Sequence, residues 1–134
     1  MDVAVSLPGM VFVGHGHTYH VWGLRQLGFA LTAEVCHAPL PNVHSDGSIC
    51  FGSNHPPIAS THTMMAAWQM FIASPFNGHL ANGKSSAYPA DVRGRLLWLA
   101  DRRARRYPRK DLQTIQCTLN DAVERAIQRT EYGR

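Results

Sequence analysis

Apolar and polar positions alternate along the first third of the chain in the manner of β-strands. Two apolar stretches, 10–13 and 19–24, flank a segment with two glycines, and this arrangement predicts a β-hairpin. Apolar residues also alternate with polar ones over 29–36. That pattern predicts a third strand, because successive side chains of a strand point to opposite faces. The three strands together indicate a small antiparallel β-meander.

In the second half of the chain, apolar residues recur at helical spacing. The spacing predicts a helix over 61–73 and another that starts near Pro89 and stops at Tyr107, which precedes a proline. A third helix is predicted after Thr118, whose hydroxyl suits a capping position. Strands followed by helices indicate an α+β fold. The length of 134 residues predicts a single domain over 1–134.

The composition indicates a folded protein of the cytoplasm. Hydrophobic residues make up 45% and charged residues 16%, which excludes a disordered chain. Cys36, Cys50 and Cys117 are odd in number and widely spaced, which argues against a disulfide framework and favours a reducing cytoplasm. Cys36 and Cys117 fall in strand-like and helix-flanking apolar stretches and are predicted to be inert. We expect neither a membrane span nor a signal peptide, because no apolar run has the required length or flanks.

The net charge of +4 is unevenly distributed. Arg25 is the only basic side chain up to residue 83, whereas eight arginines and lysines lie from Asp91 to Lys110. This stretch is either a solvated helix face or a docking surface. Because it lacks the interleaved aromatic residues that stack on bases, we predict that it binds protein and not nucleic acid.

Cys50 lies in a segment that cannot form regular helix. Two prolines within three residues precede it, Asp46 and Gly47 form a tight-turn signal, and Gly52 follows. A lone cysteine is most often a small buried hydrophobe. However, a thiol on a rigid, irregular loop is placed as a nucleophile would be.

Asn42 and Cys50, eight residues apart and separated by an Asp-Gly turn, resemble the active-site segment of ubiquitin-conjugating enzymes. The segments 7–13, 19–25 and 38–43 look like the bacterial branch of that superfamily, which includes PRTRC system protein B. The resemblance implies a ubiquitin-conjugating-like α+β fold, with the β-meander packed on helices.

The resemblance also implies a chemistry and a set of partners. Cys50 would carry the C-terminal acyl group of a ubiquitin-like protein as a thioester and transfer it to an amine. Asn42 would support either the developing oxyanion or the loop. His55, Asn54 and Asp46 are the candidates for supporting roles. The implied partners are a ubiquitin-like protein, an activating enzyme and a deconjugating peptidase from the same operon, and no cofactor is implied.

Two features depart from the family pattern. The family's usual histidine before Pro-Asn is Leu40 here, which leaves open a non-catalytic variant that only binds ubiquitin-like partners. Only seven residues precede the first Pro-Gly pair, so either the usual N-terminal helix is absent or the domain is a minimal version. Without that helix an apolar sheet face would be exposed, and we expect a partner subunit or a second copy to cover it.

Histidine-rich segments suggest a metal site as a rival. His15, His17 and His20 lie close together, and His55 and His62 follow the cysteine loop. The Cys-x-x-Cys and His-Glu-x-x-His patterns of zinc sites are missing. We therefore predict no metal ligands.

A cysteine hydrolase is the second enzyme class to consider. It needs a histidine oriented against the thiol, and His44 and His55 are both near Cys50 in the sequence. The glycines and prolines that follow Cys50 argue against the helix N-terminus on which such thiols commonly lie. Thioester transfer needs instead a group that acts on the acceptor amine, for which Asn54, His55 and His79 are candidates.

Overall fold

The protein folds into an antiparallel sheet and three helices in the computed structural model, which describes residues 6–26, 28–74 and 78–132. The four strands lie side by side in chain order: β1 Met10–His15, β2 Thr18–Leu24, β3 Glu34–His37 and β4 Thr114–Thr118. The helices are α1 Met64–Ala73, α2 Val92–Asp101 and α3 Leu119–Tyr132, and a short 3-10 helix covers Arg109–Asp111. The predicted α+β class is confirmed.

The predicted hairpin is formed by β1 and β2. His15 pairs with Thr18 across a two-residue turn, and Gly16 in that turn has a φ of 62°, which glycine adopts at no steric cost. β3 is shorter than predicted, because residues 30–33 form a turn before it.

The sequence pattern does not predict β4, so the expected order of strands first and helices later is wrong. β4 lies beside β3, with Glu34 opposite Thr118, Cys36 opposite Thr114, and a shift of register between them. Gln116 within β4 has a φ of 61°, which fits a β-bulge. The bulge breaks the alternation of apolar and polar residues by which a strand is detected in a sequence.

Two of the helices begin at capping side chains, and the sequence predicts one of them, Thr118. The Asp91 carboxylate accepts a hydrogen bond from the Arg93 N–H at the start of α2 (3.0 Å). Thr118 Oγ1 accepts one from the Asp121 N–H at the start of α3 (3.2 Å). Each cap satisfies an amide group that a helix leaves without a partner.

α2 ends at Asp101, well before the predicted stop at Tyr107. Arg103 has a φ of 52°, and the Ala104 N–H donates to the Leu99 carbonyl (3.0 Å), as in a Schellman motif. The basic residues from 102 to 110 therefore lie beyond α2, and the interpretation of the whole basic stretch as one solvated helix face is wrong.

The sheet separates two apolar clusters. Neighbouring residues of a strand point to opposite faces, so Val21 packs on the side of α1 and α2 while Trp22 packs on the side of α3. On the α3 side, Trp22 and Val35 meet Leu119, Ala122 and Ala126.

The position of α3 removes the reason for expecting a covering subunit. The sheet face that was expected to be exposed is covered by α3 of the same chain. Residues 6–9 lead into β1 without forming helix, and residues 1–5, on which the question of an N-terminal helix depends, are outside the described ranges. A homodimer therefore stays a prediction without this support.

Candidate functional site

The site is built on a hairpin-like loop that follows β3. The Cys50 N–H donates to the Asn42 carbonyl (2.9 Å), and the His44 N–H donates to the Ser48 carbonyl (2.8 Å). These bonds place Asn42 and Cys50 opposite each other at the base of the loop. Cys50 itself lies outside all helices and strands, as predicted, although β4 follows it later in the chain.

The tip of the loop is held by its own turn chemistry. Asp46 Oδ1 accepts hydrogen bonds from the Ser48 N–H (2.9 Å) and hydroxyl (2.7 Å). Gly47 has a φ of 94°, and a Cβ there would lie 2.2 Å from the Trp22 indole nitrogen. Only glycine therefore fits this turn. Asp46, a candidate supporting residue, lies at the tip and away from the thiol's cavity.

A cavity of about 100 Å³ opens beside the thiol, with Cys50, Asn42, Ser74, His79 and Leu80 in its wall. Cys50 is half-buried and Asn42 is only 4% exposed. The Asn42 amide nitrogen donates a long hydrogen bond to a carbonyl of α1 (3.5 Å). Its Oδ1 atom is buried and finds no partner among the described residues, so the amide is not fully engaged by the fold.

Of the predicted supporting residues, His55 and Asn54 are exposed and lie outside the wall of this cavity. His79 lies in the wall and is also exposed to solvent. The structure thus brings together Cys50, Asn42 and His79.

Lys84 is a feature of the site that the sequence did not indicate. Its side chain is 3% exposed, and its amine donates to the carbonyl of Leu40 (2.6 Å) and to that of Val43. Burial lowers the pKa of Lys84 to about 8. A single lysine in a loop of glycine and serine carries no sequence signal of burial. Leu40, at the position of the family's histidine, is itself fully buried.

Asp111 holds the segment that carries Lys84. It is 4% exposed and accepts hydrogen bonds from the Ser85 hydroxyl (2.6 Å), the Ala87 N–H (2.9 Å) and the Tyr107 hydroxyl. Arg95 Nε approaches to 3.5 Å. Burial alone would raise the pKa of Asp111, but the hydrogen bonds from Ser85 and Tyr107 outweigh it and lower that pKa.

The other two cysteines are in different settings. Cys36 on β3 and Cys117 on β4 are buried, and burial raises the pKa of both thiols. Neither lines the cavity of Cys50. Of the three thiols, Cys50 is the most accessible.

A larger cavity of about 550 Å³ lies on the α3 side of the sheet, with His20, Trp22 and Arg125 in its wall. The tip of the cysteine loop forms one side of it. His44, a candidate partner for the thiol, lines this cavity and not that of Cys50. This larger cavity is not the reactive centre, because the cysteine in its wall, Cys117, is buried.

The basic residues beyond α2 form an exposed surface, consisting of Arg102, Arg103, Arg105, Arg106, Arg109 and Lys110. Arg95 and Arg102 lie over the Trp98 ring, at 4.9 and 3.8 Å from its centre. The preference of this surface for protein over nucleic acid stays a prediction.

The described residues bear on two further expectations. No three histidine, cysteine or acidic side chains among them come together as metal ligands. Within the same ranges, every helix is too short or too polar to cross a bilayer.

Comparison with known proteins identifies the family. The model of prokaryotic E2 family D matches residues 1–115, a range that contains β1 to β3, α1, α2 and the cysteine loop. The comparisons with curated proteins and with solved structures gave no match. The match confirms the resemblance to the bacterial ubiquitin-conjugating-like branch. Because it covers most of the sequence, the chain belongs to prokaryotic E2 family D.

Proposed function

We propose that this protein carries a ubiquitin-like protein on Cys50 as a thioester and transfers it to an amine. The observation that carries the proposal is the half-buried Cys50 thiol, which shares a cavity with Asn42 in a chain of an E2 family. The Asn42 NH2 group makes only one long hydrogen bond, to the Phe71 carbonyl (3.5 Å), which leaves donor capacity for a reacting group. The partners of the reaction are an activating enzyme and the ubiquitin-like protein.

The reaction consists of two acyl transfers. In the first, the Cys50 thiolate attacks the thioester carbonyl on the activating enzyme, a new carbon–sulfur bond forms, and the enzyme's own thiolate leaves. In the second, an acceptor amine attacks the Cys50 thioester, a carbon–nitrogen bond forms, the Cys50 thiolate leaves, and the amine loses a proton to water or to a nearby base. Because the acyl group is already activated, the second step depends mainly on positioning.

Asn42 and His79 are the residues we assign to the second step. The Asn42 amide would donate to the oxyanion that develops at the carbonyl. Loss of such a donor typically lowers the rate by about 10²- to 10³-fold. His79, in the wall of the same cavity, would face the incoming amine. Its exposed position suits a group that must exchange protons with solvent.

The test mixes the protein, its activating enzyme, ATP and the ubiquitin-like protein, and follows the products on a non-reducing gel. We expect a conjugate that a thiol reductant removes, that Cys36→Ala and Cys117→Ala retain, and that Cys50→Ala lacks. Cys50→Ser should give an oxygen ester that resists the reductant, because the hydroxyl forms the same bond through oxygen. Charging of Cys50→Ala at the parent's level would refute the assignment.

The Asn42→Ala variant distinguishes formation of the Cys50 thioester from transfer of the acyl group to an amine. We expect this variant to charge like the parent, since the thiol is intact, and to discharge onto an amine about 10²-fold or more slowly. Equal discharge by the variant and the parent would remove Asn42 from the mechanism.

His79 also supports a second candidate, a cysteine hydrolase, because a histidine beside the thiol is what such an enzyme requires. The two functions differ in their product. A hydrolase would release the ubiquitin-like protein from a preformed amide conjugate, whereas a transferase with an acceptor amine would form that conjugate. We expect formation, and release of a preformed conjugate that disappears in Cys50→Ala would favour the hydrolase.

A further inference from the structure

The Lys84 amine binds two carbonyl groups, one on either side of the Pro41–Asn42 turn. Its amine donates to the carbonyls of Leu40 (2.6 Å) and Val43, so both point toward one side of the turn. Of the two carbonyls between them, that of Asn42 points to the Cys50 N–H (2.9 Å). The two directions are coupled, because four successive planar peptide units cannot all rotate independently when the carbonyls of the first and the last share one donor.

The backbone that carries Lys84 is itself anchored. Ser85 bonds Asp111 through its hydroxyl (2.6 Å) and pairs with Leu112 in an isolated β-bridge. The Gly83 N–H donates to the Pro89 carbonyl (2.8 Å). Lys84 therefore reaches the turn from a fixed base, and the same segment carries His79 and Leu80 into the wall of the Cys50 cavity.

The burial of Lys84 is not explained by net stabilisation. Among the described residues no carboxylate forms an ion pair with it, and two carbonyls are its hydrogen-bond partners. A buried ammonium that lacks a countercharge costs free energy. We propose that Lys84 is a positioning residue that fixes the Asn42 turn, so that the Asn42 amide and the Cys50 thiol face one cavity. This inference rests on the proposed function.

The charge of Lys84 should matter, since a protonated amine is a stronger donor to the two carbonyls than a neutral one. Of the described titratable groups, His37 on β3 responds to Lys84: burial and the Lys84 charge lower the pKa of His37. His37 is then neutral where Lys84 titrates, near pH 8. The turn should therefore loosen above about pH 8 through Lys84 alone.

The test compares the parent with Lys84→Met, which keeps the length of the side chain without a donor, and with Lys84→Arg, which keeps a cationic donor. The chain has one other lysine, Lys110, which is exposed, and Lys110→Met is the matched control. The first readout is hydrogen exchange of the Cys50 amide, which needs no partner protein. We expect faster exchange in Lys84→Met, and exchange like the parent's in Lys110→Met.

The second readout is single-turnover discharge of the charged protein onto an amine, from pH 7 to 9. We expect Lys84→Met to discharge up to about 100-fold more slowly at pH 7, as for an active-site group displaced by about 1 Å. The loss should be in the discharge rate at saturating amine and not in the amine concentration that gives half of that rate. The ratio of the parent's rate to that of Lys84→Met should fall above about pH 8, and using the ratio cancels the titration of the amine. Lys84→Arg should restore part of the rate and hold it to higher pH.

The third readout distinguishes positioning from a structural role. Because the folded-state pKa of Lys84 is lowered from 10.5 to about 8, the unfolded parent binds more protons at Lys84 between these values than the folded parent does. The parent's stability relative to Lys84→Met must therefore rise with pH in that window, and this comparison cancels the opposite contribution of the buried Cys36 and Cys117 thiols, whose pKa burial raises. If Lys84 positions the turn, the ratio of the parent's discharge rate to that of Lys84→Met should fall with rising pH over the same range in which the parent's relative stability rises. A merely structural role predicts that both change in the same direction.

The inference and the proposed function can fail separately. If the parent never charges but the Cys50 amide exchanges faster in Lys84→Met alone, the proposed function is wrong and Lys84 still fixes the turn. If exchange is equal in Lys84→Met and Lys110→Met, or the discharge ratio does not change with pH, the inference about Lys84 is overturned even though the parent transfers.

Discussion

Introducing by Leu40→His the histidine that ubiquitin-conjugating enzymes usually have at this position should destabilise this protein. Leu40 is fully buried in the apolar cluster beneath α1 and α2, and its carbonyl already accepts the Lys84 amine (2.6 Å). An imidazole at this position would lie among apolar side chains, in a residue whose own carbonyl binds a buried cation. Lys84 already supports the turn, so a histidine at position 40 has no supporting role left to fill.

The magnitude follows from two costs. Replacing the leucine side chain loses about 1.5–3 kcal/mol of apolar burial, part of which the carbon atoms of the imidazole recover. Burying an imidazole without a partner costs about 1–3 kcal/mol more. We therefore expect the free energy of unfolding to fall by about 3 kcal/mol. With a urea slope of about 2 kcal/mol per M, the midpoint should fall by about 1.5 M.

The pH dependence provides an independent check. Burial and the Lys84 charge would lower the pKa of the new histidine, so the unfolded chain would bind more protons than the folded one below its ordinary value of about 6.5. Stability then falls as the pH falls, and the gap between Leu40→His and the parent should widen by up to about 1.4 kcal/mol per pH unit below that value.

Urea unfolding followed by Trp fluorescence at pH 8 and pH 5 measures both effects. Leu40→Met is the control, because a swap that conserves volume in a core costs less than about 1.5 kcal/mol. If Leu40→His unfolds at the same urea concentration as Leu40→Met at both values of pH, the imidazole has found a partner and the argument is refuted.

Three further predictions concern cysteines, a buried carboxylate and self-modification. Iodoacetamide should alkylate Cys50 in the native protein and reach the buried Cys36 and Cys117 only in urea, as peptide mass spectrometry would reveal; equal native rates would contradict this. Asp111→Ala should lower the free energy of unfolding at pH 7 by about 3–5 kcal/mol. The parent loses stability in acid as this carboxyl, whose pKa the fold lowers, becomes protonated. The variant should lack this loss, and urea titrations at pH 7 and 3 measure both effects. During prolonged charging, lysine self-conjugation should occur at the exposed Lys110 and disappear in Lys110→Arg; a persistent lysine conjugate would show that the second, buried lysine is reached.

The sequence by itself determined the features that depend on residues close together in the chain. The hairpin follows from two apolar stretches around Gly16, and the start of α3 follows from Thr118, because turns and caps are made by residues a few positions apart. The approach of Asn42 to Cys50 is local in the same sense, since backbone bonds within this one loop place the two residues opposite each other.

Only the tertiary structure decided what depends on residues far apart in the chain. β4 has a weak pattern of its own, and it becomes a strand because the edge of β3 offers it hydrogen-bond partners. α3 covers the sheet face that the sequence left exposed, because the chain returns to that face after residue 113. His79 and Lys84 belong to one loop whose polar residues show no periodicity. Their approach to Cys50 and to the Asn42 turn is fixed by packing and by the bonds to Asp111, and no local pattern can encode such a contact.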